Sequence, residues 1–262
     1  MIGSYSESVP TIYVQGLMEE SATQKQRLGT IRELDDGRKF RYAGFTAAAV
    51  AAGVCVSKAA APVASTTAAA DALLAVVDAS EVSVTVAGVT AGQFKDGFAI
   101  VTTGTGIGEV YKIRNNGATD GIATGRIRLQ LYDKIKTAWL AADTVVHLWA
   151  NAYSALLINP AVADENATTQ ECVMGVTIRP MTASYFGWIQ THGLGGMLLD
   201  VAAAAGAESN EMQIVQGPTA GRGGVIIPLE TTFFWGTQIL GHTIQSADLT
   251  NAYAHLVFID IE

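Results

Sequence analysis

The sequence predicts a mainly β protein: antiparallel β-barrel or sandwich units of jelly-roll-like kind, with an extended N-terminal arm and little helix. Two observations carry this. Short runs rich in Val, Ile and Thr recur along the chain, and several alternate apolar with polar residues at period two. Gly-rich turn signals separate many of them, the pattern of barrels and sandwiches.

Residues 1–28 are polar and mixed, with scattered apolar anchors. They read as an arm that docks onto a neighbour through Val9, Ile12, Tyr13 and Leu17, with a short helical turn near Gln15–Ala22. A hairpin follows over residues 29–45. Thr30–Leu34 and Arg38–Tyr42 flank Asp35-Asp36-Gly37, where Gly37 can take a positive φ and the Asp side chains favour reversal. Arg38, Lys39 and Arg41 give this hairpin positive charge, a candidate contact with an acidic partner surface.

Residues 46–80 are Ala-rich, with a strand at Val54–Val56 and a candidate helix over Ala68–Val77 capped by Thr67. Residues 59–80 read as a connection. A β domain is expected over 81–149. Val82, Val84 and Val86 alternate with Ser83 and Thr85, and Ile127, Leu129 and Leu131 alternate with Arg126, Arg128 and Gln130. Phe98–Thr102, Val110–Ile113 and Val145–Trp149 are further strands. A second β domain is expected over 150–262, combining with 29–58 in one barrel. Its candidate strands include Val173–Ile178, Tyr185–Thr191, Met197–Val201 and Leu256–Ile261, with turns at Gly193–Gly196, Gly217-Pro218 and Gly221–Gly224. Leu256–Ile259 is apolar on both faces and reads as an interior strand.

Composition bounds function. Charged residues are only 15 % of the chain, against about 25 % in typical soluble domains. A chain so poor in charge is expected to cover part of its surface by association. Net charge is −8 and uneven, since residues 198–262 hold seven acidic and one basic side chain. That balance argues against direct nucleic-acid binding, which needs a basic patch. No apolar run is long enough for a membrane-spanning helix. Two cysteines, Cys55 and Cys172, make no disulfide framework, and the first residues lack a signal-peptide pattern. Synthesis in a reducing cytoplasm is expected.

Chemistry-bearing motifs are sparse. Gly104-Thr105-Gly106-Ile107-Gly108 lacks the spacing and the following helix of a dinucleotide loop, and reads as a β-turn. His147, His192, His242 and His255 lack metal-ligand spacing. The carboxylate pairs Glu19-Glu20, Asp35-Asp36 and Asp164-Glu165 lie in polar stretches. No catalytic, cofactor or metal residues are assigned. The aromatic run Tyr185-Phe186-Gly187-Trp188 reads as core, with a sugar-stacking platform as its alternative.

Several stretches together bear on function. Leu28-Gly29-Thr30 and Asp36-Gly37-Arg38-Lys39-Phe40-Arg41-Tyr42 resemble the opening of virion structural proteins of tailed phages. There a short strand, a DG turn and an R-x-x-R-Y strand precede an Ala/Gly-rich segment. Lys95–Val101 with Gly104-Thr105-Gly106 and Tyr111-Lys112-Ile113 is similar to the middle of such proteins, as are Asn151-Ala152-Tyr153 and Gly175-Val176 through Tyr185–Gln190. The resemblance implies a non-enzymatic decoration or cement subunit, often a trimer, on the capsid surface. It would clamp neighbouring major capsid proteins, after assembly in the host cytoplasm. The alternative is a tail or fibre component that binds a receptor, and a depolymerase is a more distant rival.

Overall fold

The computed structural model describes residues 13–58, 64–67, 76–119, 125–140, 143–160, 172–200, 213–217, 219–225, 238–244 and 254–261. Val9, Ile12 and most of the candidate helix over Ala68–Val77 lie outside them. The described elements are strands, and none is a helix. They are β1 (Ile31–Glu33), β2 (Lys39–Gly44), β3 (Cys55–Lys58), β4 (Ala64–Thr67), β5 (Glu81–Thr85), β6 (Phe98–Thr103), β7 (Val110–Asn116), β8 (Arg126–Leu131), β9 (Val145–Trp149), β10 (Leu156–Ile158), β11 (Val173–Thr177), β12 (Phe186–Leu198), β13 (Gln213–Gln216), β14 (Gly223–Val225), β15 (Ile239–Thr243) and β16 (Ala254–Asp260).

All the strand pairs are antiparallel, and they form two sheets. The larger runs β10-β3-β11-β12-β16-β15-β13-β14, with the β1–β2 hairpin joined to β12. The smaller runs β4-β9-β6-β7-β8-β5. The fold is thus mainly β and antiparallel, with one sheet curled into a half-barrel. Residues 29–58 and the strands after 150 share the larger sheet, and β4, from the Ala-rich stretch 59–80, pairs with β9 in the smaller one.

Period-two patterning fixes the core of the smaller sheet. Val82, Val84, Ile127, Leu129, Val101, Ile113, Val146 and Leu148 are buried there, with Phe94, Ile135 and Trp139 closing the cluster. Burial of each such aliphatic or aromatic side chain contributes about 1.5–3 kcal/mol. Arg128 and Gln130, on the alternate face of β8, are exposed.

In the larger sheet, Phe40, Tyr42 and Trp188 form one cluster. Val173, Val176, Met197, Ile214, Leu240, Val257 and Ile259 form another. Gly193–Gly196, expected as a turn, lies inside the 13-residue strand β12. Gly193 and Gly195 serve close packing, while Gly196 has nothing within 4 Å of an added Cβ. A Cβ on Gly195 would meet Gln190 Oε1 at 2.6 Å and Ile259 Cδ1 at 2.8 Å. β16 lies between β12 and β15, yet only one of its faces is covered: Val257 and Ile259 are buried while Leu256 is half exposed. The expected turn near Gln15–Ala22 is one hydrogen-bonded reversal, Glu19 N–H to Gly16 O at 3.2 Å, and not a helix.

Asn151 ties the parts together. Its Nδ2 donates to Asp96 O at 2.9 Å, beside the smaller sheet, and to Leu28 O at 3.3 Å. Its backbone carbonyl accepts from Lys58 Nζ of β3 at 2.8 Å.

Candidate interaction surface

The N-terminal segment from Tyr13 onward is seated on its own sheet. Tyr13 meets Trp188 edge-on, ring centroids 5.6 Å apart, and its hydroxyl donates to Ile31 O. Leu17 packs on the Phe40–Tyr42–Trp188 cluster. Gln15, which the sequence reading passed over, is the buried anchor. Its Oε1 accepts from the Tyr42 hydroxyl at 2.7 Å, and its Nε2 donates to Glu19 O and Phe186 O. Glu20 fastens the segment to the loop before β12. Its carboxylate accepts from Thr182 N and Oγ1, both at 2.8 Å, and faces Arg179 at 3.4 Å. The Thr182 N–H, foremost, holds that carboxyl below its ordinary range.

The hairpin cations are differently placed. Arg38 Nε pairs with Asp36 Oδ2 at 2.7 Å. Arg41 Nη1 donates to Gly29 O, and its guanidinium lies over Tyr153. Lys39 stands opposite Glu33 and His192 in the ladder. Leu17 and Arg38 also line a cleft of about 340 Å³ with Met18, Phe40, Gln190 and Leu194. Beside it the larger sheet exposes Leu194 and Leu256, with Phe258 between His192 and His242 at 5.1 Å from each ring.

The smaller sheet presents a second apolar face that sequence reasoning missed. Register places Trp149 opposite Phe98, and Phe98 opposite Lys112. Paired residues point to the same side of a sheet, so the three form one row. Ile100, opposite both Val110 and His147, forms the row beside it. Trp149 is 44 % exposed, Phe98 41 % and Val110 56 %. Tyr132 continues the first row: its N–H donates to Lys112 O at 3.0 Å, and the Arg27 guanidinium sits 4.9 Å from its ring centroid. Lys112 Nζ lies 5.9 Å from the same ring. The Tyr132 hydroxyl donates to the buried carboxylate of Asp96 at 3.1 Å. Burial first, and Asp96 second, push that hydroxyl above its ordinary pKa, against the pull of Arg27 and Arg114.

No family model matches the chain, and no curated protein or solved structure is similar enough to count as a match.

Of the carboxylate pairs, Glu19, Glu20 and Asp36 are held by hydrogen bonds. Glu19 accepts from Gly16 N–H, and Asp36 from Arg38. Asp164-Glu165 lies outside the described residues. Among the described residues, no three His, Cys, Asp or Glu side chains are grouped to hold a metal ion. Gly104, Gly106 and Gly108 all have positive φ and sit in the β6–β7 connection. Within the run Tyr185–Trp188, Trp188 is buried while Tyr185 and Phe186 are partly exposed. The arrangement presents one apolar face on each sheet, the smaller sheet's bordered by cations.

Proposed function

We propose that the chain is a non-enzymatic virion structural protein that decorates and cements a tailed-phage capsid. It bridges neighbouring major capsid protein subunits and associates with itself, as a trimer, on the capsid surface. One observation carries the reading: each sheet exposes its own apolar face, Leu194 and Leu256 on the larger, Phe98, Val110 and Trp149 on the smaller. Two separate faces let one subunit hold two neighbours at once, and linked contacts multiply rather than add. Every such bridge must be lost before a pressurised shell opens. The sequence resemblance of Leu28–Tyr42, of Lys95–Val101 with Gly104–Gly106 and Tyr111–Ile113, and of Asn151–Tyr153 and Gly175–Gln190 supplies the class of assembly.

Electron cryo-microscopy of the virion tests this. Hundreds of copies over junctions between capsid subunits are the expected result. A few copies confined to the tail would overturn it in favour of receptor binding.

A further inference from the structure

Trp149, Phe98, Lys112 and Tyr132 make one row across the exposed face of the smaller sheet. Its three rings are partly exposed, Trp149 at 44 %, Phe98 at 41 % and Tyr132 at 37 %. Adjacent strands lie about 4.8 Å apart, so the row spans about 14 Å. Its two ends differ. At one end Phe98 and Trp149 stand side by side, and no cation lies over either ring among the described residues. At the other end three cations gather on Tyr132. The Arg27 guanidinium is 4.9 Å and Lys112 Nζ 5.9 Å from its ring centroid. Arg114 stands exposed at the β7 bulge, near enough for its charge to act on the Tyr132 hydroxyl. None of the three has a carboxylate partner within ion-pair distance among the described residues. The carboxylate behind the ring, Asp96, is 1 % exposed and fixes Tyr132 by accepting from its hydroxyl at 3.1 Å.

That separation selects the occupant. An aromatic ring presents a negative face, on which the weakly positive C–H groups of a sugar ring stack. The cations at the other end call for an oxyanion, and guanidinium groups hold a carboxylate through paired hydrogen bonds. A single-stranded nucleic acid fits less well. Each nucleotide carries both a base and a phosphate, so such sites run cations along the whole groove, and here none lies over Phe98 or Trp149. The net charge of −8 also repels a long polyanion. A protein interface surrounds its apolar core with a polar rim, whereas rings and cations here lie at opposite ends of one row.

We propose that the Trp149–Phe98–Lys112–Tyr132 row binds an acidic oligosaccharide. An uncharged sugar stacks on Phe98 and Trp149, and the carboxylate of a neighbouring uronate is held by Arg27, Lys112 and Arg114. Tyr132, anchored by Asp96, positions the cations through its ring. The inference goes beyond the decoration reading and does not rest on it. Under that reading a trimer still bridges capsid neighbours through its three larger-sheet faces, with Leu194 and Leu256 on each, when the smaller-sheet faces point outward. Because the cations are exposed, salt screens their share of the binding and leaves the stacking share.

Isothermal titration calorimetry of the full-length protein is the test, with hexasaccharides of hyaluronate and of unsulfated chondroitin, in which uronates alternate with uncharged sugars. The expected result is a single site per chain, with affinity at least about tenfold lower once the carboxylates are reduced to alcohols and lower again at high salt. Phe98→Ala/Trp149→Ala and Lys112→Gln/Arg114→Gln should each lose at least about tenfold in affinity while keeping the wild-type circular dichroism and melting temperature. The first pair should also weaken binding of the carboxyl-reduced sugar, and the second should not. Saturation-transfer NMR on the wild type, which involves no folding change, should place sugar C–H protons against aromatic rings. No binding of either hexasaccharide at millimolar concentration, or binding that the folded variants leave unchanged, would overturn the inference. Tighter binding of oligothymidylate than of the sugars would overturn it in favour of nucleic acid. A wild-type oligomer that Phe98→Ala/Trp149→Ala dissociates would overturn it in favour of a protein contact. Co-sedimentation with capsids separates the inference from the decoration reading. Capsid attachment without sugar binding refutes only the present inference, and sugar binding without capsid attachment refutes only the decoration role.

Discussion

Tyr42 and Gln15, 27 positions apart, meet in the interior, where the tyrosine hydroxyl donates to the amide oxygen at 2.7 Å. The same amide nitrogen donates to Glu19 O and Phe186 O, and Trp188 Nε1 donates to Gln15 O at 3.3 Å. One polar side chain, 3 % exposed, thus holds the N-terminal segment to β2 and β12. Gln15→Ala leaves the Tyr42 hydroxyl and the Phe186 carbonyl without these partners. The Tyr42 hydroxyl keeps only the Lys25 N–H and the Phe186 carbonyl only the Ser21 N–H; four side-chain bonds of Gln15 go at once, each worth about 0.5–1.5 kcal/mol, so an overall loss of about 2–4 kcal/mol is expected. Tyr42→Phe removes two bonds, the one donated to Gln15 Oε1, which keeps its Ser21 partner, and the one accepted from Lys25 N–H at 3.1 Å, at about 1–2 kcal/mol. Urea unfolding of the two variants checks the ranking. Hydrogen exchange should show residues 13–23 released first in Gln15→Ala.

Gly97 is fixed by its neighbours' backbones. A Cβ there would lie 2.1 Å from Trp149 O and 3.0 Å from Phe94 O. Trp149 O cannot move without disturbing the end of the β6–β9 ladder, nor Phe94 O without losing its bond from Gly97 N–H. Gly97→Ala should therefore destabilise by about 3 kcal/mol or more. Gly88 is the control. It has a positive φ but nothing within 4 Å of an added Cβ, so Gly88→Ala should cost only about 1–2 kcal/mol. Thermal melts of both separate a steric clash from backbone strain.

The fold class was legible because period two is a local signal. The hairpin at Asp35-Asp36-Gly37, the alternation of β5 and β8, and the turn at Gly104–Gly108 each need only a few neighbouring residues. The exposed face was not legible. In β6 and β9 both faces are apolar, so alternation alone does not say whether Ala99 and Leu148 or Phe98 and Trp149 face the core. Two polar residues carried the clue. His147 shares a face with Trp149, and Lys112 lies on the side of β7 opposite Tyr111 and Ile113. Only the register, with Phe98 between Trp149 and Lys112, joins these into one surface. The run Gly193–Gly196 misled for the reverse reason: glycine marks both turns and crowded strands, and the crowding by Gln190 and Ile259 is tertiary.

Asn151 is expected to couple the two sheets. Its amide donates to Asp96 O, and its Oδ1 accepts from Tyr153 N–H at 2.8 Å. Asn151→Ala removes both and leaves the buried Asp96 carbonyl without this donor, an expected loss of about 2 kcal/mol. Asn151→Asp keeps the acceptor and loses the donor, and puts a second carboxylate near buried Asp96. It should be at least as damaging as Asn151→Ala at neutral pH and recover part of that loss in acid, as the new carboxyl protonates. Denaturant titrations of both variants, at neutral and at acid pH, give the comparison. Equal stability of Asn151→Ala and wild type would remove the residue from this role.

The two thiols should behave oppositely. Cys172 is exposed, while Cys55 is fully buried in β3. Burial, and secondarily the nearby Asp200 carboxylate, push the Cys55 thiol up to about 12 from an ordinary 9.0. The thiolate is the reactive form, so native protein at mildly alkaline pH should titrate one thiol rapidly with a disulfide reagent and release the second only on unfolding. The linkage has a definite sign. Between pH 9.0 and about 12 the unfolded chain loses the Cys55 proton while the folded chain keeps it. The unfolded state therefore binds fewer protons, and stability falls as pH rises through that window. Cys55→Ala keeps a small apolar side chain and abolishes the titration. Its cavity lowers stability at neutral pH, but its unfolding free energy should decline less steeply than wild type's above pH 9.0. Parallel slopes for the two proteins would show that Cys55 does not govern the alkaline limb.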